Sequence, residues 1–145
     1  MKSKNHPTLL RVLDANLNRA REGVRVCEEA ARMVLNDSTL TRQCQRFRYA
    51  LTRSAQGIPA FHRLKARDSK RDVGRPALRG SGRPHRDCAD LVTANLRRVQ
   101  EALRVLEEFS RILPGPSCRV FSRLRFRSYS LEQAFFSKLP ALRHR

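Results

Sequence analysis

Apolar positions recur along the chain with alternating steps of four and three. Leu9, Leu13, Asn16, Ala20, Gly23, Cys27, Ala30 and Val34 form one such series. Cys88, Val92, Asn95, Val99, Ala102, Leu106, Phe109 and Leu113 form another, each 79 residues after its counterpart. That period is the buried seam of an amphipathic helix. Two further runs, Leu40, Cys44, Phe47, Leu51, Ser54, Ile58 and Phe121, Leu124, Ser128, Leu131, Phe135, keep it. Asn36-Asp37-Ser38 ends the first long helix and can cap the second, and Pro114-Gly115-Pro116-Ser117 separates the later pair. No β-branched alternation or Asn-Gly hairpin turn competes.

The spacing is matched by identity. Residues 15–48 and 94–127 agree at 14 of 34 positions without a gap. A duplicated helical hairpin follows. One amphipathic hairpin cannot bury its own stripe, whereas two can face to face. The expected fold is all-α: an antiparallel four-helix bundle of two duplicated hairpins related by a pseudo-twofold, in one domain spanning 1–145. Hairpin one covers about 8–58 and hairpin two about 87–138, with a basic, Gly/Pro-rich connection at about 62–86. Gly23 in the seam costs about 1 kcal/mol of helix propensity against Ala, which suggests close helix approach.

Charge changes the picture next. The net formal charge is +18, and 26 of the 31 basic residues are Arg. Residues 38–86 hold 13 Lys or Arg against only Asp68 and Asp72. The balance seeks anions: phosphates, nucleic acid or an acidic partner. With nine aromatics and no basic-aromatic interleaving, a base-stacking platform is disfavoured. No run approaches the roughly 20 apolar residues of a membrane span, and the N-terminus lacks a signal peptide's apolar run. The expected location is the cytoplasm. Cys27, Cys44, Cys88 and Cys118 show no metal-ligand spacing and read as buried or idle thiols. The four His residues (His6, His62, His85, His144) have no patterned partner.

Asn16 and Asn95 are the only polar members of the two long seams. They either set helix register or line a polar cavity that matches a ring's donors and acceptors. Beside them runs a repeated column: Arg19, Glu22, Arg25, Glu29, Arg32 and Arg98, Glu101, Arg104, Glu108, Arg111. Ion pairs along a solvated face need opposite charges, but not the same residues twice. Arg held by Glu suits bidentate phosphate recognition. Arg19 and Arg98 are the phosphate grips of choice; Arg25 and Arg104 turn further outward and come second. Asp68 and Asp72 either relieve charge in a basic loop or serve Mg²⁺ ligation and base work beside phosphates. The connection is either a linker or a loop that orders around an anion. No phosphate-binding G-x-x-x-x-G-K-[ST] loop exists, and Gly80-Ser81-Gly82 is too short to replace one.

The sequence A-N-x-x-R-x-x-E-G-x-R-V-x-E-E, then R-D-x-x-x-D-V-G, then A-N-x-x-R-x-x-E-A-L-R-V-L-E-E resembles a small helical domain of thiamine biosynthesis. That domain occurs alone or fused ahead of thiamine-phosphate synthase, and is proposed to act as an alternative hydroxymethylpyrimidine phosphate kinase. The resemblance covers about residues 8–135. It implies substrate-binding roles for Asn16, Arg19, Glu22, Arg25, Asn95, Arg98, Glu101 and Arg104, with Gly23, Glu29 and Glu108 in the same motifs. It matches the loop at Arg67, Asp68, Asp72 and Gly74; if the chain acts as a kinase, Arg67, Arg71 and Gly74 form a phosphate-binding loop, and Asp68 and Asp72 serve catalysis and Mg²⁺ ligation. Arg46, Arg127, Tyr129, Leu131 and Glu132 also agree. Where the family tends to carry Glu three residues before Arg86, this chain has Arg83. Three functions follow as expectations: transfer of phosphate from ATP-Mg²⁺ to hydroxymethylpyrimidine phosphate; a non-catalytic pyrimidine-phosphate-binding or synthase-docking module; and a basic nucleic-acid binder. A homodimer stays open.

Overall fold

In the computed structural model the described residues are 7–74, 82–113 and 118–143. Among them the chain forms α1 (Pro7–Glu29), α2 (Ser38–Ser54), α3 (Ala60–Ala66), α4 (Cys88–Ser110), α5 (Cys118–Phe136) and α6 (Leu139–Leu142), and no strand. A π-helical turn, Ala30–Val34, prolongs α1. The all-helical expectation holds. Helix α1 lies against α4, α2 and α3; α5 lies against α4 and α2; α6 closes on α4. No helix among the described residues is long and apolar enough to cross a membrane.

The periodic seams are where the core forms. Leu13, Ala20 and Cys27 of α1 are fully buried, as are Val92, Val99 and Leu106 of α4. On α1 a second stripe, Leu10, Leu17, Val24 and Ala31, is buried as well. A two-position seam covers one neighbour, and α1 has three. Gly23 explains itself: a Cβ there would meet Val99 Cγ2 at 2.8 Å and the Asn95 carbonyl oxygen at 3.0 Å. Asp37 caps α2 by accepting from Leu40 N at 2.9 Å, after Asn36 turns the chain with φ 51°. Asp87 caps α4 in the same way, from Asp90 N at 2.8 Å. Pro114–Ser117, Gly80-Ser81, His6 and His144 lie outside the described residues.

Burial also settles the cysteines. Cys27 and Cys44 are in the core, while Cys88 and Cys118 are partly buried. Burial pushes both core thiols up, Cys44 to about 12.

Two features depart from the sequence reading. The ungapped identity does not hold as structure through the second helices. Phe47 is 2 % exposed, whereas Phe126, its match at offset 79, is 60 % exposed. Arg48, the partner of Glu28, follows it by 20 residues; Arg125, the partner of Glu107, follows it by 18. The second helix thus comes two residues sooner in the second copy, so the repeated Arg-Phe-Arg lands on different faces. The connection, in turn, is not free of contacts over its described part. Residues 60–66 are helical and lie on α1. Asp14, only 3 % exposed, accepts from Arg67 Nε at 2.8 Å and stands 3.7 Å from Arg63. Arg11 donates to the Asp68 carbonyl at 3.0 Å. Asp14 and Arg11 thus tie the described part of the connection to α1.

Candidate functional site

The close approach of α1 and α4 at Gly23 carries the candidate site. Where Gly23 lets α1 and α4 approach, their faces open into a cavity of about 470 Å³. Asn16, Gly23, Asn95 and Ala102 form its buried floor. Arg19, Glu22, Arg98 and Glu101 form its exposed rim, and Val105 closes one side. Eight of these nine residues are pairs at offset 79. The cavity thus gathers six of the eight substrate-binding candidates.

Each Asn is held by its own helix. Asn16 Nδ2 donates to the Val12 carbonyl and Asn95 Nδ2 to the Leu91 carbonyl, both at 2.9 Å. This bond uses one amide hydrogen and fixes the side-chain plane. The second hydrogen and the Oδ1 lone pairs are left for a ligand; Asn16 Oδ1 also takes a long 3.5 Å bond from Arg19. Among the described residues neither Arg19 nor Arg98 has a carboxylate within ion-pair distance. The expectation that Glu22 and Glu101 hold these forks therefore fails as a contact: the guanidinium groups stand beside the carboxylates without pairing. Cations on a cavity rim without partners are suited to an incoming anion.

Arg25 and Arg104 are placed elsewhere, and the reason is a pair of acids that the sequence reading passed over. Arg25 bonds Glu28 at 3.1 Å and Glu29 at 2.6 Å; Arg104 sits 3.5 Å from Glu107 and 2.8 Å from Glu108. Neither Arg lines the cavity. Glu28 and Glu107 are 1 % and 4 % exposed. Glu28 ties α1 to α2 through Arg48 Nε at 2.9 Å, and Glu107 ties α4 to α5 through Arg125 Nε at 2.8 Å. Burial pushes the Glu107 carboxyl up, but the Arg125 bond and the charges of Arg125, Arg104 and Arg111 outweigh it, holding it below the usual value. The signal was there: both acids repeat at offset 79 beside Glu29 and Glu108.

The loop candidates also lie outside this cavity. Arg67 is engaged by Asp14, and hydrogen bonding and charge from Asp14, with the field of Glu22 behind them, raise its pKa. Glu22 thus links the loop electrostatically to the rim. Asp68 Oδ1 accepts from Arg71 N at 3.3 Å and Asp72 Oδ1 from Gly74 N at 2.8 Å. Their second oxygens stand 3.6 Å from Arg71 and 3.9 Å from Arg11. No group of three or more metal-ligating side chains occurs among the described residues. Two carboxylates whose second oxygens stand beside Arg71 and Arg11 would suit a Mg²⁺ ion only with phosphate and water oxygens as its remaining ligands.

The model of the ThiD2 family matches residues 11–134. A thiamine-phosphate synthase of Synechocystis sp. is 39% identical over 143 residues, which are 96% of this chain and 40% of that protein. One from Thermosynechococcus vestitus is 40% identical over 129 residues, covering 87% of this chain and 35% of that protein. One from Rhodopirellula baltica is 33% identical over 138 residues, covering 95% and 37%. The chain thus spans well under half the length of these curated relatives. No solved structure matches.

Proposed function

The chain belongs to the ThiD2 family, and on that premise we propose that it is a pyrimidine-phosphate-binding module of thiamine biosynthesis that serves thiamine-phosphate synthase. One observation carries the reading: a single cavity has an amide floor and an arginine rim. Buried amides can pair with the nitrogens of a pyrimidine ring, and rim guanidinium groups can take its phosphate. The names of the relatives supply the pathway, and their greater length supplies the partner. The paired lining supports reading the four long helices as a bundle of duplicated hairpins related by a pseudo-twofold.

Calorimetric titration with hydroxymethylpyrimidine phosphate tests it. Losing a buried hydrogen bond costs about 1–3 kcal/mol, so Asn16→Ala and Asn95→Ala should each raise Kd roughly 5- to 150-fold. The effects should be unequal, because Ala20 and Gly23 on one helix face Val99 and Ala102 on the other. If both variants keep their affinity and only melt earlier, the amides set helix register and the reading fails.

A second reading, a kinase, is favoured by one asymmetry. Among the described residues the acidic loop with Asp68 and Asp72, tied to α1 by Arg11 and Asp14, follows the first hairpin and has no counterpart after α5. In this reading a phosphate oxygen of hydroxymethylpyrimidine phosphate attacks the γ-phosphorus of ATP, the bond to ADP breaks, and a diphosphate forms. Arg19 and Arg98 position the acceptor, Arg71 meets phosphate, and Asp68 and Asp72 hold Mg²⁺. The metal supplies charge neutralisation between phosphate oxygens. Asp72→Asn should then spare pyrimidine phosphate binding and abolish Mg²⁺-dependent diphosphate formation. Wild-type protein that binds but forms no diphosphate would leave the binding-module reading.

A further inference from the structure

A second cavity, of about 480 Å³, lies at the entry to α4. It is lined by Arg83, Pro84, His85, Arg86, Asp90 and Arg98. Arg98 also lines the pyrimidine-phosphate cavity, so one guanidinium forms a wall of both. The sole carboxylate, Asp90, is occupied in shaping the loop. It accepts from Arg86 N at 3.2 Å and stands 3.7 Å from both His85 and the Arg86 guanidinium. Arg83, like Arg98, has no carboxylate within ion-pair distance among the described residues. Two guanidinium groups with no carboxylate partner among the described residues, a third guanidinium and an imidazole thus converge on a space large enough for a phosphate group and its waters.

We propose that this cavity is a second oxyanion subsite, which takes a phosphate of a polyphosphate, and that Arg98 joins it to the first. It deepens the reading of the α1–α4 site by giving that site a second anionic ligand, and it rests on that reading only for the identity of its neighbour. The repeated charge column supplies only Arg98 to it; Arg83, His85 and Arg86 belong to neither repeat. Inorganic tripolyphosphate and ATP carry the same recognisable group and differ only in the nucleoside.

The test is calorimetry on the full chain with tripolyphosphate, ATP and adenosine. Both polyphosphates should bind and adenosine should not. Tighter binding of ATP would identify a nucleotide source, and equal binding would mean that the phosphate chain alone is read. Arg83→Glu should raise Kd for tripolyphosphate by at least about tenfold, a loss of about 1.4 kcal/mol, while Arg83→Lys stays within about threefold. Both should leave hydroxymethylpyrimidine phosphate affinity within about twofold. Wild-type affinity for tripolyphosphate in Arg83→Glu would overturn the proposal. The two readings fail separately. Arg83-dependent tripolyphosphate binding without pyrimidine phosphate binding sinks the proposed function alone; the reverse sinks the subsite alone.

Discussion

Replacing Gly23 by Ala sets two effects of known sign against each other. Helix propensity favours the change by about 1 kcal/mol. Packing opposes it. The new methyl would lie 2.8 Å from Val99 Cγ2 and 3.0 Å from the Asn95 carbonyl oxygen, against a comfortable carbon–carbon separation of about 3.5–4.0 Å. Val99 cannot swing away, because a β-branched side chain in a helix has about one usable rotamer. The carbonyl cannot move without α4. The helices must part by several tenths of an ångström, and overpacking of this kind costs about 1–3 kcal/mol. Taking the middle of that range, the net loss is about 1 kcal/mol, roughly 2–4 °C of Tm for a chain of this size. Differential scanning calorimetry of wild type, Gly23→Ala, Val99→Ala and the double variant reads it. The two changes should be less harmful together than their sum, because removing Cγ2 relieves the closer contact. A rise in Tm for Gly23→Ala alone would show that propensity wins and that α1 and α4 are not held as closely as described.

Other outcomes follow from the buried acids and the caps. Glu107→Gln should cost about 3 kcal/mol at neutral pH, since it breaks a buried pair and leaves Arg125 under-compensated. Because the folded-state pKa of Glu107 is depressed, its contribution is present above the ordinary carboxylate range of about 4.3. It is lost as pH falls through the folded value. The stability gap between variant and wild type should therefore close below about pH 4, and a gap that widens on acidification would contradict the pairing. Asp37→Ala removes the α2 cap and should cost about 0.5–2 kcal/mol, measured by urea titration. Asp14→Asn should speed amide hydrogen exchange across 60–74 while leaving α4 protected; unchanged exchange would mean that Arg63 and Arg67 do not hold the segment.

The long helices were legible because burial there follows a single rule. Leu13, Cys27, Val92 and Leu106 recur at helical spacing and are all at 0 % exposure. The cavity was legible for a related reason: Asn16 and Asn95 were the polar exceptions within those seams. What was not legible depends on pairs distant in sequence. Glu28 and Glu107 look like surface charges until Arg48 and Arg125 arrive from the next helix. Helix α3 has no buried residue of its own and hence no apolar signature; its position comes from Asp14. The repeated Arg-Phe-Arg misled because a connection two residues shorter in the second copy rotates it: Arg48 pairs with Glu28, but Arg125, not Arg127, pairs with Glu107. Arg25 and Arg104 matched the family motif, yet a motif does not say which acid a guanidinium will meet.

The segment after α3 is joined to the rest differently from any other part. Residues 69–74 are exposed and meet α1 through a polar contact of Arg11 with Asp72, whereas α1 meets α4 and α2 meets α5 through buried side chains. A protease cutting within 69–74 would sever the backbone without touching the surface that joins the halves. The nicked protein should therefore remain a two-fragment complex. Separately expressed halves should find one another, with the cavity reassembled between polypeptides that no longer share a covalent bond.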